Sequence, residues 1–222
     1  MSAFRPKFIT FDCYGTLINF RMSALARELF PDRVPAQQMD AFCKDFSAYR
    51  LDEVLGDWKP YEDVVCNAVR RTCLKWNIEY RPIEARKFYD AVPTWGPHAD
   101  VPEPLARIAK HIPLVILSNA MDVQIPHHVA KLGAPFHAVY TAQQARAYKP
   151  RLQAFEYMLD SLCAKPEDIL HVSSSMRYDL MSADDIGIRM KAFVNRGHET
   201  GNPAYNYVEI KDIGGLPALV GL

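Results

Sequence analysis

Four groups of residues in this 222-residue chain carry side chains able to do chemistry together, and each follows a short apolar run. They are Asp12-Cys13-Tyr14-Gly15-Thr16-Leu17, then Ser118-Asn119, then Tyr148-Lys149-Pro150, then Ser173-Ser174-Ser175-Met176-Arg177-Tyr178-Asp179. Brought to one place they make a carboxylate nucleophile, donors for a substrate anion, and a cation that keeps the nucleophile ionised. Asp12, with Gly15 and Thr16 behind it, is the candidate nucleophile. The competing reading is bland: Asp12 caps the next element, Lys149 is a surface lysine, and the serine-rich turn ends with Asp179 in the first turn of a helix.

The elements that must position these groups are legible as short runs at Lys7 to Phe11, Leu114 to Leu117, Ala138 to Thr141, Ile169 to Val172 and Lys191 to Val194. Each is bounded by polar or turn residues, as buried parallel strands are. Helix-period stretches lie between most of them. Arg151 to Ala164 places Leu152, Phe155, Leu159 and Leu162 on one face, and another helix begins over Pro104 to Lys110. This alternation argues for an α/β fold with a parallel sheet. After Phe11 the next strand signal comes only at Leu114, and the interval is helical in pattern. Phe42, Phe46, Tyr49 and Val54 recur at helix spacing, as do Val65, Val69, Cys73 and Trp76. Residues 20–95 therefore read as an all-helical insertion, with Pro93-Thr94-Trp95-Gly96-Pro97 as the return linker into a core of residues 1–19 and 96–222. Ligands of such sheets bind beyond the carboxyl ends of the strands, where the four groups stand.

In this order the motifs resemble those of the haloacid dehalogenase superfamily, and within it the L-2-haloacid dehalogenases of type II. The resemblance spans essentially the whole chain and implies a Rossmann-like parallel-sheet core with an inserted helical cap. Two positions decide the subfamily. Superfamily phosphatases carry a second Asp two residues after the nucleophile, where this chain has Tyr14. They also usually have Gly-Asp at the fourth motif, where Ser173-Ser174 stands, so one customary carboxylate ligand for magnesium is missing.

The resemblance implies hydrolytic dehalogenation of short-chain 2-haloacids to 2-hydroxy acids, with no cofactor and no metal. Asp12 would attack C2 from the side opposite the halogen, forming an ester with inversion, and water would then hydrolyse the ester. Lys149 would depress the pKa of Asp12, and Thr16 would orient it. Asp179 would activate the water with help from Ser174. Ser118 and the backbone N–H groups of Cys13 and Tyr14 would hold the substrate carboxylate. Asn119 would bind substrate or departing halide. Arg50 is the candidate halide cradle, its competing reading being a surface charge paired with Asp45 or Glu53. Trp58, Tyr61 and Trp95 are candidates for the apolar wall. Two departures stand near Lys149 and the water site: Phe155 where the family often has Tyr, and Met176 where it has Asn. A magnesium-dependent phosphatase and a catalytically silent binding protein remain the alternatives.

Lysine plus arginine equals aspartate plus glutamate at 26 each, so no basic excess exists to hold nucleic acid or an anionic membrane. No apolar run reaches the roughly 18 residues of a membrane span. The first residues show no secretory pattern, and the five cysteines form no C-x-x-C pair, which points to a reducing, cytoplasmic setting without disulfide or zinc. The cysteines read as small core residues, with Cys13 a candidate for reaction with thiol reagents. His127-His128 reads as solvated helix surface, because neighbours on a helix do not chelate together. A homodimer is implied by the resemblance alone.

Overall fold

The computed structural model describes residues 5–222. The chain divides into two compact units, one formed by residues up to Asn19 together with Gly96–Leu222, the other by Phe20–Trp95. The first unit is built on a six-stranded parallel sheet in the order β3-β2-β1-β4-β5-β6. Its strands are β1 (Phe8–Phe11), β2 (Leu114–Ser118), β3 (Ala138–Thr141), β4 (Ile169–Ser173), β5 (Met190–Val194) and β6 (Val208–Ile210). Every residue of β2 and β4 is buried, as expected of central parallel strands covered on both faces. The chain runs from β1 outward through β2 to β3, then returns to the other side of β1 for β4 and β5. That reversal opens a crevice at the carboxyl ends of β1, β2 and β4.

The second unit holds four helices: α1 (Met22–Leu29), α2 (Met39–Leu55), α3 (Tyr61–Lys75) and α4 (Pro82–Ala91). Glu62 and Asp63 in the first turn of α3 and Lys75 in its last turn suit the helix dipole, and Pro82 opens α4 where a missing N–H costs nothing. An aromatic core joins them, with Phe30 against Phe42 at 4.8 Å and Phe46 against Phe88 at 4.9 Å between ring centroids.

The first unit adds α5 (Pro102–Ile108), α6 (Ile125–Val129), α7 (Ala142–Ala145), α8 (Leu152–Leu162), α9 (Met181–Asp185) and α10 (Leu216–Leu219). In α8 the buried residues Phe155, Met158 and Leu159 cluster with Val115, Leu117 and Ile169, while buried Ala154 packs with Ala145 and Ala147. Leu152 is exposed because it is the first residue of the helix, ahead of the turn that meets the sheet. The three-residue β6 gave no sequence signal; two of its residues are exposed, and so short an edge strand has no periodicity to read. No helix among the described residues is long and apolar enough to cross a membrane.

Candidate active site

Asp12 leaves the end of β1 with its backbone N–H still donating to Val172 O of β4 at 3.1 Å. A tight loop follows. Gly15 adopts φ +94°, a region that favours glycine, and its N–H reaches Ile18 O at 2.9 Å, while Leu17 and Ile18 both donate to Cys13 O. This folds Thr16 back over Asp12, so that the Thr16 hydroxyl donates to Asp12 Oδ2 at 2.6 Å. Thr16 Oγ1 also accepts from the Ser174 backbone N–H at 2.9 Å and lies 3.1 Å from Ser174 Oγ. Behind the loop, Arg196 donates to Thr16 O at 3.0 Å while its guanidinium is paired with Asp100.

Lys149 reaches the other carboxylate oxygen. Its Nζ donates to Asp12 Oδ1 at 2.9 Å, Asp179 Oδ1 at 2.7 Å and Leu117 O at 2.8 Å, which uses all three ammonium hydrogens in a fully buried site. The backbone of Lys149, ahead of a cis bond to Pro150, is clamped by Asn119. The Asn119 Oδ1 accepts from Lys149 N at 2.7 Å, and its Nδ2 donates to Lys149 O at 2.9 Å. Asn119 thus presents the lysine, and these two bonds use its oxygen and one of its two Nδ2 hydrogens.

Asp179 has no exposed surface. Its Oδ1 accepts from Lys149 and lies 3.0 Å from His171 Nε2, and its Oδ2 accepts from Ser173 Oγ at 3.0 Å. The residue sits on a single wide helical turn, Met176–Leu180. That turn is capped by Ser175 Oγ, which accepts from Tyr178 N, and by Glu199, which accepts from Ser175 Oγ and from the Met176 and Arg177 N–H groups. With three protein donors around it, Asp179 is built to hold Lys149, and direct activation of a water is the lesser part of its geometry.

The electrostatics divide the two carboxylates. Burial pushes Asp12 up, and the charge of Asp179 adds to this, while Lys149 and the Thr16 hydrogen bond pull it back only partly; its pKa ends above the ordinary value. Lys149 does pull the Asp12 pKa down, as expected, but burial outweighs it. Burial acts on Asp179 too, but the Lys149 charge and the His171 and Lys149 hydrogen bonds outweigh it and hold its pKa low. Lys149 is kept charged, because the two carboxylates outweigh its burial.

Ser118, at the end of β2, is buried, and its Oγ has no hydrogen-bond partner among the described residues. A buried hydroxyl left without a partner is costly unless a ligand supplies one. Cys13 is fully buried; burial and then the Asp12 charge raise its thiol well above the usual range, so the expected sensitivity to thiol reagents is corrected to an inert side chain. Tyr14 packs edge-on against His128 at 5.0 Å. His128 is buried rather than solvated, because α6 turns that face into the protein and leaves His127 outside.

Within the second unit, Arg50 lies over the rings of Phe46 at 5.1 Å and Phe20 at 5.7 Å and is hydrogen-bonded to Tyr61. It pairs with neither Asp45 nor Glu53: Asp45 takes Lys75 and Trp76, and Glu53 takes Lys59, Arg71 and Asn67. Its buried Nε has no partner among the described residues. Trp95 packs edge-on to Phe20 at 5.1 Å, and Trp58 is half-buried.

Sequence reasoning missed His171, Arg196 and Glu199, and it gave Ser173, which donates to Asp179, no role of its own. For His171 a signal existed, since a polar residue stands inside the apolar run Ile169-Leu170-His171-Val172. Glu199 and Arg196 act across distant parts of the chain and leave no local trace.

A family model described as haloacid dehalogenase-like hydrolase matches residues 6–187. Among curated proteins, the chain is 26% identical over 192 residues to an (S)-2-haloacid dehalogenase of Pseudomonas putida, with 85% of each covered. It is 26% identical over 195 residues to a haloacetate dehalogenase of Moraxella sp. (strain B), again with 85% of each covered. Among solved structures it resembles an L-2-haloacid dehalogenase at TM-score 0.83 and 21% identity, covering 98% of this chain and 100% of that one. It also resembles the Xanthobacter autotrophicus L-2-haloacid dehalogenase with chloropropionic acid covalently bound, at TM-score 0.77 and 21% identity, covering 97% and 98%. At those identities the structural likeness establishes the fold.

Proposed function

We propose that this chain, which belongs to the haloacid dehalogenase-like hydrolases, cleaves the carbon–halogen bond of short-chain 2-haloacids through an ester on Asp12, with inversion at C2. The observation that carries the reading is the buried Asp12 carboxylate, held by Thr16 on one oxygen and Lys149 on the other, with Tyr14 rather than an acid two residues on. The names of the two curated relatives support the substrate class.

In this mechanism Asp12 attacks C2, the C–O bond forms as the C–halogen bond breaks, and the halide leaves with the bonding pair. Ser118 Oγ and the backbone N–H groups of Cys13 and Tyr14 hold the substrate carboxylate. Water then adds to Cγ of Asp12 and the bond from Cγ to the product oxygen breaks; one of the water's protons ends on the hydroxyl of the departing 2-hydroxy acid and the other passes to solvent, leaving Asp12 ionised beside the Lys149 charge that Asp179 holds in place. One halide and one proton are released per turnover.

The donors present do not fit a hard divalent cation. Lys149 Nζ stands between Asp12 and Asp179, both Asp179 oxygens accept from protein donors, and Ser174 offers a hydroxyl where a third carboxylate is needed. Halide release from chloro- and bromoacetate and from both 2-chloropropionate enantiomers, measured with EDTA present, tests the reading. Release that survives EDTA supports it. Absence of release from every acid, with magnesium-stimulated phosphoester cleavage instead, overturns it.

A pH dependence follows. Asp12 must be ionised to attack, and burial with the Asp179 charge raises its pKa. The rate constant kcat/KM is expected to fall on the acid side through a limb lying above the ordinary Asp value of about 3.9. An acid limb at or below that value contradicts the assignment.

A further inference from the structure

His171 is fully buried in β4 and has no part in the steps above. Its ring is fixed from three sides. Nδ1 lies 2.8 Å from Thr10 Oγ1, the residue opposite it in the β1–β4 register. Nε2 lies 3.0 Å from Asp179 Oδ1, and Phe155 packs edge-on against the ring at 5.4 Å. An ionised carboxylate only accepts, so Nε2 carries a hydrogen whatever the charge of the ring, and Thr10 engages the other nitrogen. Asp179 Oδ1 is the same oxygen that accepts from Lys149. Ile169, two residues back on the same face of β4, is apolar and shares a core cluster with Phe155, so an apolar side chain suits this face, whereas a buried polar strut is costly unless every member is satisfied.

We propose that His171 is a positioning residue for the reaction: through Nε2–H it fixes Asp179 Oδ1, and through Asp179 it fixes Lys149 against Asp12. The proposal rests on the dehalogenase reading of Asp12. Its consequence is largest in the second half of the reaction. Once Asp12 is esterified it loses its charge, and Lys149 then depends on Asp179 and Leu117 O to stay beside the ester carbonyl. A loosened Asp179 lets the ammonium drift, and hydrolysis of the ester slows more than its formation.

The test compares wild type, His171→Leu and His171→Gln, whose amide can offer an N–H near the Nε2 position. Two readouts are taken: steady-state halide release, with mass analysis of acid-quenched protein, and the 15Nζ–H signal of the Lys149 ammonium. That signal is sheltered from exchange by three hydrogen bonds. In His171→Leu, kcat is expected to fall roughly tenfold to a hundredfold, the size seen when a group orienting a reacting residue is removed, with KM nearly unchanged. Protein carrying the ester mass should accumulate, and the ammonium signal should broaden. His171→Gln should restore both in large part. Unchanged kcat and an unchanged ammonium signal in folded His171→Leu overturn the proposal. If His171→Leu does not fold, Thr10→Val, which frees the far side of the ring, is read in the same way. If wild type releases no halide from any haloacid, the dehalogenase reading fails and the ammonium signal alone decides the role of His171.

Discussion

Asp12→Asn is expected to lower halide release by at least about 10,000-fold, the scale on which removal of a covalent nucleophile acts. The variant should fold, because Asn keeps the shape: its one carbonyl oxygen can accept from Lys149 while its NH2 faces Thr16, whose hydroxyl hydrogen can turn to Ser174 Oγ. What it loses is the negative charge that attacks C2. The amide also leaves Lys149 with one anionic partner instead of two, so its charge is less well balanced. The check is halide release over hours at high enzyme concentration, beside a thermal unfolding curve showing that the fold persists. Residual activity within a hundredfold of wild type would mean that water attacks C2 directly and that Asp12 only orients it.

Lys149→Met is expected to damage stability and activity together. The ammonium is fully buried and donates to Asp12, Asp179 and Leu117 O. Its removal leaves two carboxylates in one buried site with no cation between them, and breaking a buried pair in this way costs about 3–5 kcal/mol. The site answers by taking up protons. Both carboxyls then have folded pKa values above their unfolded ones, so the variant loses stability as pH rises through those values. Its deficit against wild type should therefore be larger at pH 8 than at pH 5. Activity should fall roughly a thousandfold at neutral pH, since Asp12 is now protonated and no charge polarises the ester. Chemical denaturation at the two pH values, with halide release alongside, measures both. A variant equally stable at both pH values would mean that Lys149 is not what holds the carboxylates ionised.

The sheet was legible because its strands are short apolar runs with both faces covered, and such runs carry little ambiguity when turn residues bound them. The helical interval was legible for the opposite reason: apolar residues of α2 and α3 recur at helix spacing over many turns. Asp12 and Ser118 at strand ends, and Lys149 past the short helix after β3, were legible from their place in order along the chain. Their division of labour was not. The net rise of the Asp12 pKa depends on how much water the fold removes, which no motif encodes. Asn119 has donor and acceptor atoms that suit a substrate equally well, and only the path of the Lys149 loop shows that its oxygen and one amide hydrogen also present the lysine. Asp179 was expected beside water and is enclosed instead, because His171 and Ser173 come from the buried strand before it. Glu199, which caps the turn carrying Asp179, joins it only through the return of the chain after β5.

The central claim is that Asp12 becomes covalently bound to substrate, and a single turnover in water enriched in 18O tests it most directly. Enzyme in excess over a good haloacid is allowed to turn over once, and both product and protein are then analysed by mass. If water attacks the Asp12 ester carbonyl, the product hydroxyl oxygen comes from the protein. The product is then unlabelled, and a peptide containing Asp12 gains one 18O. Label in the product hydroxyl, with none in that peptide, would contradict the account.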